Sequence, residues 1–234
     1  MNLCLTKKTL TKALCQVAIT LLLLCAGGRD STAATFSFLG AETLEPGQST
    51  VYGTVGVPEI EVGAGFGLNS LVDVTPRLRL QFGRGMRIGG LGLSAGVAAR
   101  MKVARTHGWT IALVAEPELG YHVGGKDHPP VASDATQDNK TFSASLLAGG
   151  VVADRMLVPG TRLLAGIKAP LTFHLAPTTV MNVPLLLELG MEVEVGQQLF
   201  LLARFDGGFD FYGPGGTPGR RPHVRVRVGL GWLR

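Results

Sequence analysis

Cysteine is confined to the start of the chain. Cys4, Cys15 and Cys25 are the only three in 234 residues, so everything after residue 25 must hold together without a disulfide. A small exported domain with a thin core usually depends on disulfides. Stability here has to come from backbone pairing or burial instead. Charge is also scarce, at 17% of residues against 46% hydrophobic. That is too apolar for a disordered chain and too poor in charge for a typical cytosolic enzyme. There is no basic run and no basic–aromatic motif, which argues against a nucleic-acid partner. Beyond the N-terminus no uninterrupted apolar run reaches the roughly 18 residues of a membrane-spanning helix. The 33 glycines follow no G-X-Y period, which excludes collagen.

What is present begins with an address. Lys7, Lys8 and Lys12 precede an apolar stretch from Ala13 to Ala26, and Thr32-Ala33-Ala34 fits a small-x-small cleavage site. Residues 1–34 therefore read as a secretory signal peptide. Its removal leaves 18 cations against 16 acids, so the exported chain is close to neutral.

From residue 49 onward the dominant signal is alternation, which puts one set of side chains on each face of a strand. Leu78, Leu80 and Phe82 oppose Arg77, Arg79 and Gln81. Leu91, Leu93, Ala95 and Val97 oppose Gly92, Ser94, Gly96 and Ala98. Leu185, Leu187 and Leu189 oppose Leu186, Glu188 and Gly190. Val224, Val226, Val228, Leu230 and Trp232 oppose Arg225, Arg227, Gly229 and Gly231. The same split predicts strands over 109–122 and 199–206, with weaker ones over 49–57, 59–68, 141–153 and 161–174. Several of the ten reach the roughly 9–11 residues of a tilted membrane-crossing strand, longer than the usual soluble strand. Pro117 and Pro170 are expected at bulges or upper strand ends, and Pro184 at a strand start.

Connections alternate in length. Those near 69–75, 103–108, 154–160 and 195–198 are short. The opposite set includes the two longest, Gly124 to Lys140 and Gly207 to Pro222, with loop-like composition. Aromatics gather toward strand ends: Trp109, Trp232 and Phe66 at one end, and Phe82, Tyr121, Phe142, Phe173, Phe205 and Phe209 at the other. That is the pattern of interface girdles.

If the apolar faces meet lipid, the opposite faces line a lumen. They carry Arg77, Arg79, Arg100, Glu116, Glu118, Lys168, Glu188, Glu192, Arg204, Asp206, Arg225 and Arg227, together with Glu59, Glu61, Lys102, Arg162 and Glu194. Opposite charges in near balance can pair in an interior too narrow for a wide channel. The small inward residues are expected to make room for long Arg and Glu side chains.

Alternation, loop asymmetry and aromatic placement over about 49–232 resemble the small outer-membrane β-barrel proteins of Gram-negative bacteria. The resemblance implies an outer-membrane location and insertion from the periplasm by the barrel-insertion machinery. Those families usually end on an aromatic residue; here Leu233 and Arg234 follow Trp232.

Chemistry is harder to find. His122, His128, His174 and His223 are expected near the outer rim beside Asp127, Asp134, Asp138 and Asp210, the setting of an outer-membrane hydrolase. Their spacing defines no catalytic set. No spaced Cys/His cluster marks a metal site. The Gly213–Gly219 stretch lacks the Lys-Ser/Thr and helix of a phosphate loop.

The expectation is an all-β, antiparallel up-and-down transmembrane barrel of about ten strands, with eight to twelve possible. Residues 1–34 are the signal, 35–48 a short periplasmic segment and 49–234 the barrel. It is expected to be a monomer in the lipid bilayer, with no catalytic residue, metal or cofactor assigned. Its role is structural or binding, through outer loops over a salt-bridged lumen. The alternatives are a narrow passive pore, a hydrolase of lipid A or peptides, and a soluble periplasmic β-sandwich.

Overall fold

A computed structural model describes residues 36–84, 87–123, 140–176, 180–213 and 219–234. The expected signal peptide lies outside them, as does the 124–139 stretch with Asp127, His128, Asp134 and Asp138. The strands are β1 (Ser49–Val57), β2 (Glu59–Gly67), β3 (Val72–Arg84), β4 (Arg87–Thr106), β5 (Trp109–Ala115), β6 (Glu118–Val123), β7 (Lys140–Val158), β8 (Thr161–Ala176), β9 (Val180–Gly196), β10 (Leu199–Tyr212) and β11 (Gly219–Leu233).

Strands pair antiparallel with their neighbours in sequence, except that β5 and β6 each pair with β4 and β7. β3 pairs β4, and β1 pairs β11 from Thr50↔Leu233 to Val57↔Val226, so the sheet closes on itself. β5 and β6 are two halves of one crossing, both held between β4 and β7. The result is a closed barrel of ten antiparallel strands. A sandwich of two sheets is ruled out, because a single sheet has consumed its own edges.

Alternation fixes which face points where. Leu93 is 58% exposed and Ser94 2%; Leu187 is 49% and Glu188 0%; Val226 is 47% and Arg227 2%. Leucine and valine cover the outside, while polar and charged side chains fill the inside. A one-residue register slip would reverse every one of these positions, so the pattern specifies the pairing.

At one end the hairpins are tight. His107 and Gly108 both have positive φ, at 49° and 79°, joining β4 to β5. Two successive positive φ values match the twist of a two-residue hairpin, and glycine is the natural second residue. Gln198 and Gly160 take the same left-handed conformation in the β9–β10 and β7–β8 turns.

Several expected boundaries move. The 207–222 stretch, expected to be a loop, is strand as far as Tyr212 and again from Gly219, with Phe209 paired to Pro222. β3 begins at Val72 and β7 continues to Val158, so Asp73 and Asp154 belong to the wall and not to turns. Pro184 lies inside β9, opposite Asp210, and does not start it. Pro117 breaks the β5–β6 crossing, and its carbonyl accepts from the Val97 amide. Pro170 lies within β8, where the β8–β9 ladder is interrupted.

The N-terminal segment is the largest departure. Expected as a separate piece ahead of the barrel, residues 36–44 are packed inside it. Phe36, Phe38, Leu39, Ala41 and Leu44 are all buried.

Candidate functional site

The lumen has three levels. The lowest is a plug formed by the N-terminal segment. Wall carboxylates receive its backbone amides. Glu192 accepts from the amides of Phe38 and Leu39 at 3.1 and 2.7 Å and from the Ser37 hydroxyl at 2.9 Å. Asp154 accepts from Ala41 and Glu42 at 2.6 and 2.7 Å, and Asp73 from Leu44 at 3.0 Å. A segment without strand partners must place its amides somewhere, and three buried acids supply the acceptors. Arg100 joins the two partners. It pairs with Asp73 and donates to the carbonyls of Ser37 and Gly40, both at 2.9 Å.

Phe36, Phe38 and Phe200 pack edge-on or tilted, with centroids 5.1–5.5 Å apart, beside Tyr52, Leu164 and Leu202. Burial alone would raise the Glu42 carboxyl. The hydrogen bonds from Lys102 and Thr110 and the charges of Lys102 and Arg105 outweigh that and hold it below the ordinary carboxylate range.

Above the plug, ten side chains of alternating sign close a ring. Lys168 contacts Glu116 at 2.7 Å; Glu116 meets Arg77 at 3.1 Å; Arg77 meets Glu118 at 3.4 Å; and Glu118 meets Arg79 at 2.6 Å. Arg79 pairs with Glu61, which is 3.0 Å from Arg227. Arg227 continues to Asp206 at 2.9 Å, Asp206 to Arg204 at 2.9 Å, Arg204 to Glu188 at 3.0 Å, and Glu188 back to Lys168 at 3.0 Å. Glu59 braces the ring through Arg227 at 2.9 Å and Arg79 at 4.0 Å. Each charge of the ring has partners on both sides, which is what allows a set this dense to be buried. Tyr52 adds a phenol donor to Glu61 at 2.8 Å.

The third level is a cavity of about 150 Å³ between the ring and the far strand ends. Arg77, Arg79, Glu116 and Arg225 form its floor. Gln81, His122, Ser143, His174, Asn182 and His223 line its sides. It is smaller than the usual drug-sized pocket, so it suits a small polar group. Arg225 is the loosest cation here, with contacts to Glu59 and Asp206 of 3.5 Å each.

All twelve charged residues assigned to the lumen from sequence point inward, ten of them in or bracing the ring or at its Arg225 margin. The other two, Arg100 and Glu192, hold the plug. Asp73, Asp154 and Asp210 are inward acids that sequence reasoning left in turns or loops. Among the assigned aromatics, Tyr121, Phe142, Phe205 and Trp232 are exposed on the outer surface, and Phe82, Trp109 and Phe173 are half-buried. Inward glycines serve two purposes. Gly96 lies against the Glu118 side chain, as expected, whereas Gly92 lies under the His122 ring and Gly231 under Phe38, where rings fill the space.

Of the hydrolase candidates, Asp127, His128, Asp134 and Asp138 lie outside the described residues. His223 pairs with Asp210 at 3.1 Å, but Ser143 and Ser145 donate to the carbonyls of Gly120 and Leu171. No group of three or more potential ligands could hold a metal ion among the described residues. Compared with known proteins, the chain matches no family model, and no curated protein is similar to it.

Proposed function

We propose that this chain is a non-conducting outer-membrane barrel that presents a small polar cavity toward the outer face, with a binding or structural role. The observation that carries the reading is the closed ion ring stacked on the plug, inside a wall whose outside is leucine and valine. On β4, exposed apolar residues recur from Leu91 to Met101, with only Ala99 half-buried among them. Ten steps of strand cover about 34 Å, or about 25 Å of height at the tilt of such barrels, which matches their apolar band. Tight hairpins at the plug end fit the periplasmic side of such a barrel.

A passive pore is the less favoured reading, because voids among the described residues at the level of the plug and ring are small, about 10 and 20 Å³. The test is membrane fractionation with a heat-modifiability gel, followed by planar-bilayer recording of the folded protein. The expected result is membrane recovery, different migration before and after boiling, and no discrete conductance. Stepwise conductance would overturn the closed lumen. Recovery in the aqueous fraction with identical migration would overturn the membrane reading.

A further inference from the structure

The β8–β9 ladder runs from Thr161↔Val193 to Lys168↔Leu186, stops, and resumes from Thr172↔Asn182 to His174↔Val180. The register is the same on both sides of the stop, so Pro170 stands opposite Pro184. In an antiparallel ladder, alternate residue pairs exchange two N–H···O bonds. Proline has no N–H, so two facing prolines at such a position lose both bonds. That loss also removes the pairing of the residues just above and below. The three missing positions, 169, 170 and 171, are the ones that a facing proline pair removes.

The wall therefore has a slit about 13 Å long, four residue rises, without a backbone bond between strands. Its surroundings differ on the two sides. Pro170, Thr172, Asn182 and Pro184 face the polar cavity directly behind it. Ala169 and Leu185 are exposed on the apolar outside. Nearby the wall is irregular too, with the β5–β6 break at Pro117 and a register shift in β7 between Ser145 and Leu147.

We infer that this slit is a lateral portal through which a single-chain amphiphile with an anionic headgroup places that headgroup in the cavity while its tail stays in the bilayer. The inference rests on the apolar outer face being the lipid-facing one. Splaying β8 from β9 here breaks no ladder pairing, and of the interrupted ladders this is the one with three consecutive positions missing opposite the cavity. The cavity holds a headgroup but not a chain. Arg225, loosely held by its two acids at the cavity margin, is the cation available to an anionic oxygen.

The probe is an alkyl phosphate carrying a photoreactive group next to the phosphate, mixed into phosphatidylcholine vesicles containing the folded protein. Crosslinks are mapped by mass spectrometry. The expected labels fall on Thr172 and Asn182, and they weaken in Arg225→Gln. They are lost in Pro170→Ala/Pro184→Ala, which restores both donors. They are also lost when Ala169→Cys and Leu185→Cys are joined by a disulfide, and they return on reduction. At ladder spacing this pair lies within disulfide reach, and the barrel has no cysteine of its own.

Labels confined to outward residues overturn the portal, as do cavity labels unchanged in both closed variants, which would mean entry past the strand ends. Equal cavity labelling by the alkyl-trimethylammonium analogue overturns the anionic headgroup. Heat-modifiable migration of each variant separates these outcomes from a failure of the membrane reading itself.

Discussion

The ring of Phe38 lies directly over the backbone of Gly231. A Cβ placed on Gly231 would sit 2.5 Å from the nearest ring carbon. The last strand of the barrel and the plug are thus fitted to each other at a position where only hydrogen leaves room. Gly231→Ala is expected to displace Phe38 from its stack with Phe36 and Phe200 while leaving the β1–β11 closure in place. The measurement is proteolytic cleavage near residue 38 in the folded protein. Cleavage as slow as in the parent would mean the ring does not depend on that space.

Glu192 offers a sharper test of how the plug is held. Its two oxygens take two backbone amides and a hydroxyl, and glutamine would turn one oxygen into a donor facing donors. Hydrogen bonds to a charged group contribute about 1.5–3 kcal/mol each. Glu192→Gln should therefore speed amide exchange at Phe38 and Leu39 by at least about tenfold, since about 1.4 kcal/mol is a factor of ten. Strand amides in β1 and β11 should be unaffected. Uniform acceleration across the barrel would show a general loss of stability and not a released plug.

The ion ring predicts unequal costs for its parts. Glu61 is buried between Arg79 and Arg227 and also accepts from Tyr52. Glu61→Gln takes one carboxylate from two buried guanidinium groups, Arg79 keeping Glu118 and Arg227 keeping Asp206, and should cost about 3 kcal/mol, the lower end of the cost of breaking a buried pair. Arg105, whose side chain is 70% exposed, reaches Glu42 at 2.7 Å. Arg105→Ala should cost about 0–1 kcal/mol, as exposed pairs do. Urea unfolding in vesicles, followed by the heat-modifiable band, compares the two. Equal midpoints would show that ring closure contributes nothing.

Much of this was legible in the sequence because period two is a strong signal over long strands. Arg79, Glu188 and Arg227 could be assigned to the interior from their neighbours alone, and the count of about ten strands followed from the alternating segments. The plug was not legible. Residues 36–44 lack alternation, and their partners Asp73 and Asp154 fall where short apolar runs end, so they read as turn residues. A buried acid in a wall and a solvated acid in a hairpin are the same letter. Only pairing, which carries β3 back to Val72 and β7 on to Val158, separates them. The Asp210–His223 pair was hidden likewise, by glycines at 207 and 208 and the proline at 222 that suggested a loop.

Acid should loosen the plug through Glu42. Its carboxyl is held below its ordinary value by Lys102, Thr110 and Arg105, against the opposing effect of burial. A lowered folded value means that ionised Glu42 stabilises docking fully above the unfolded value of about 4.3, and that this contribution fades as pH falls through the folded value. Amide protection at Glu42, corrected for the intrinsic exchange rate, should be flat from pH 7 to about 5 and fall below about pH 4. In Glu42→Gln the part of that fall owed to this carboxyl should be missing, with lower protection already at neutral pH. Protection in the parent that stays level down to pH 3, or a Gln variant whose acid profile matches the parent, would mean that Lys102 and Arg105 do not anchor the segment through this carboxylate.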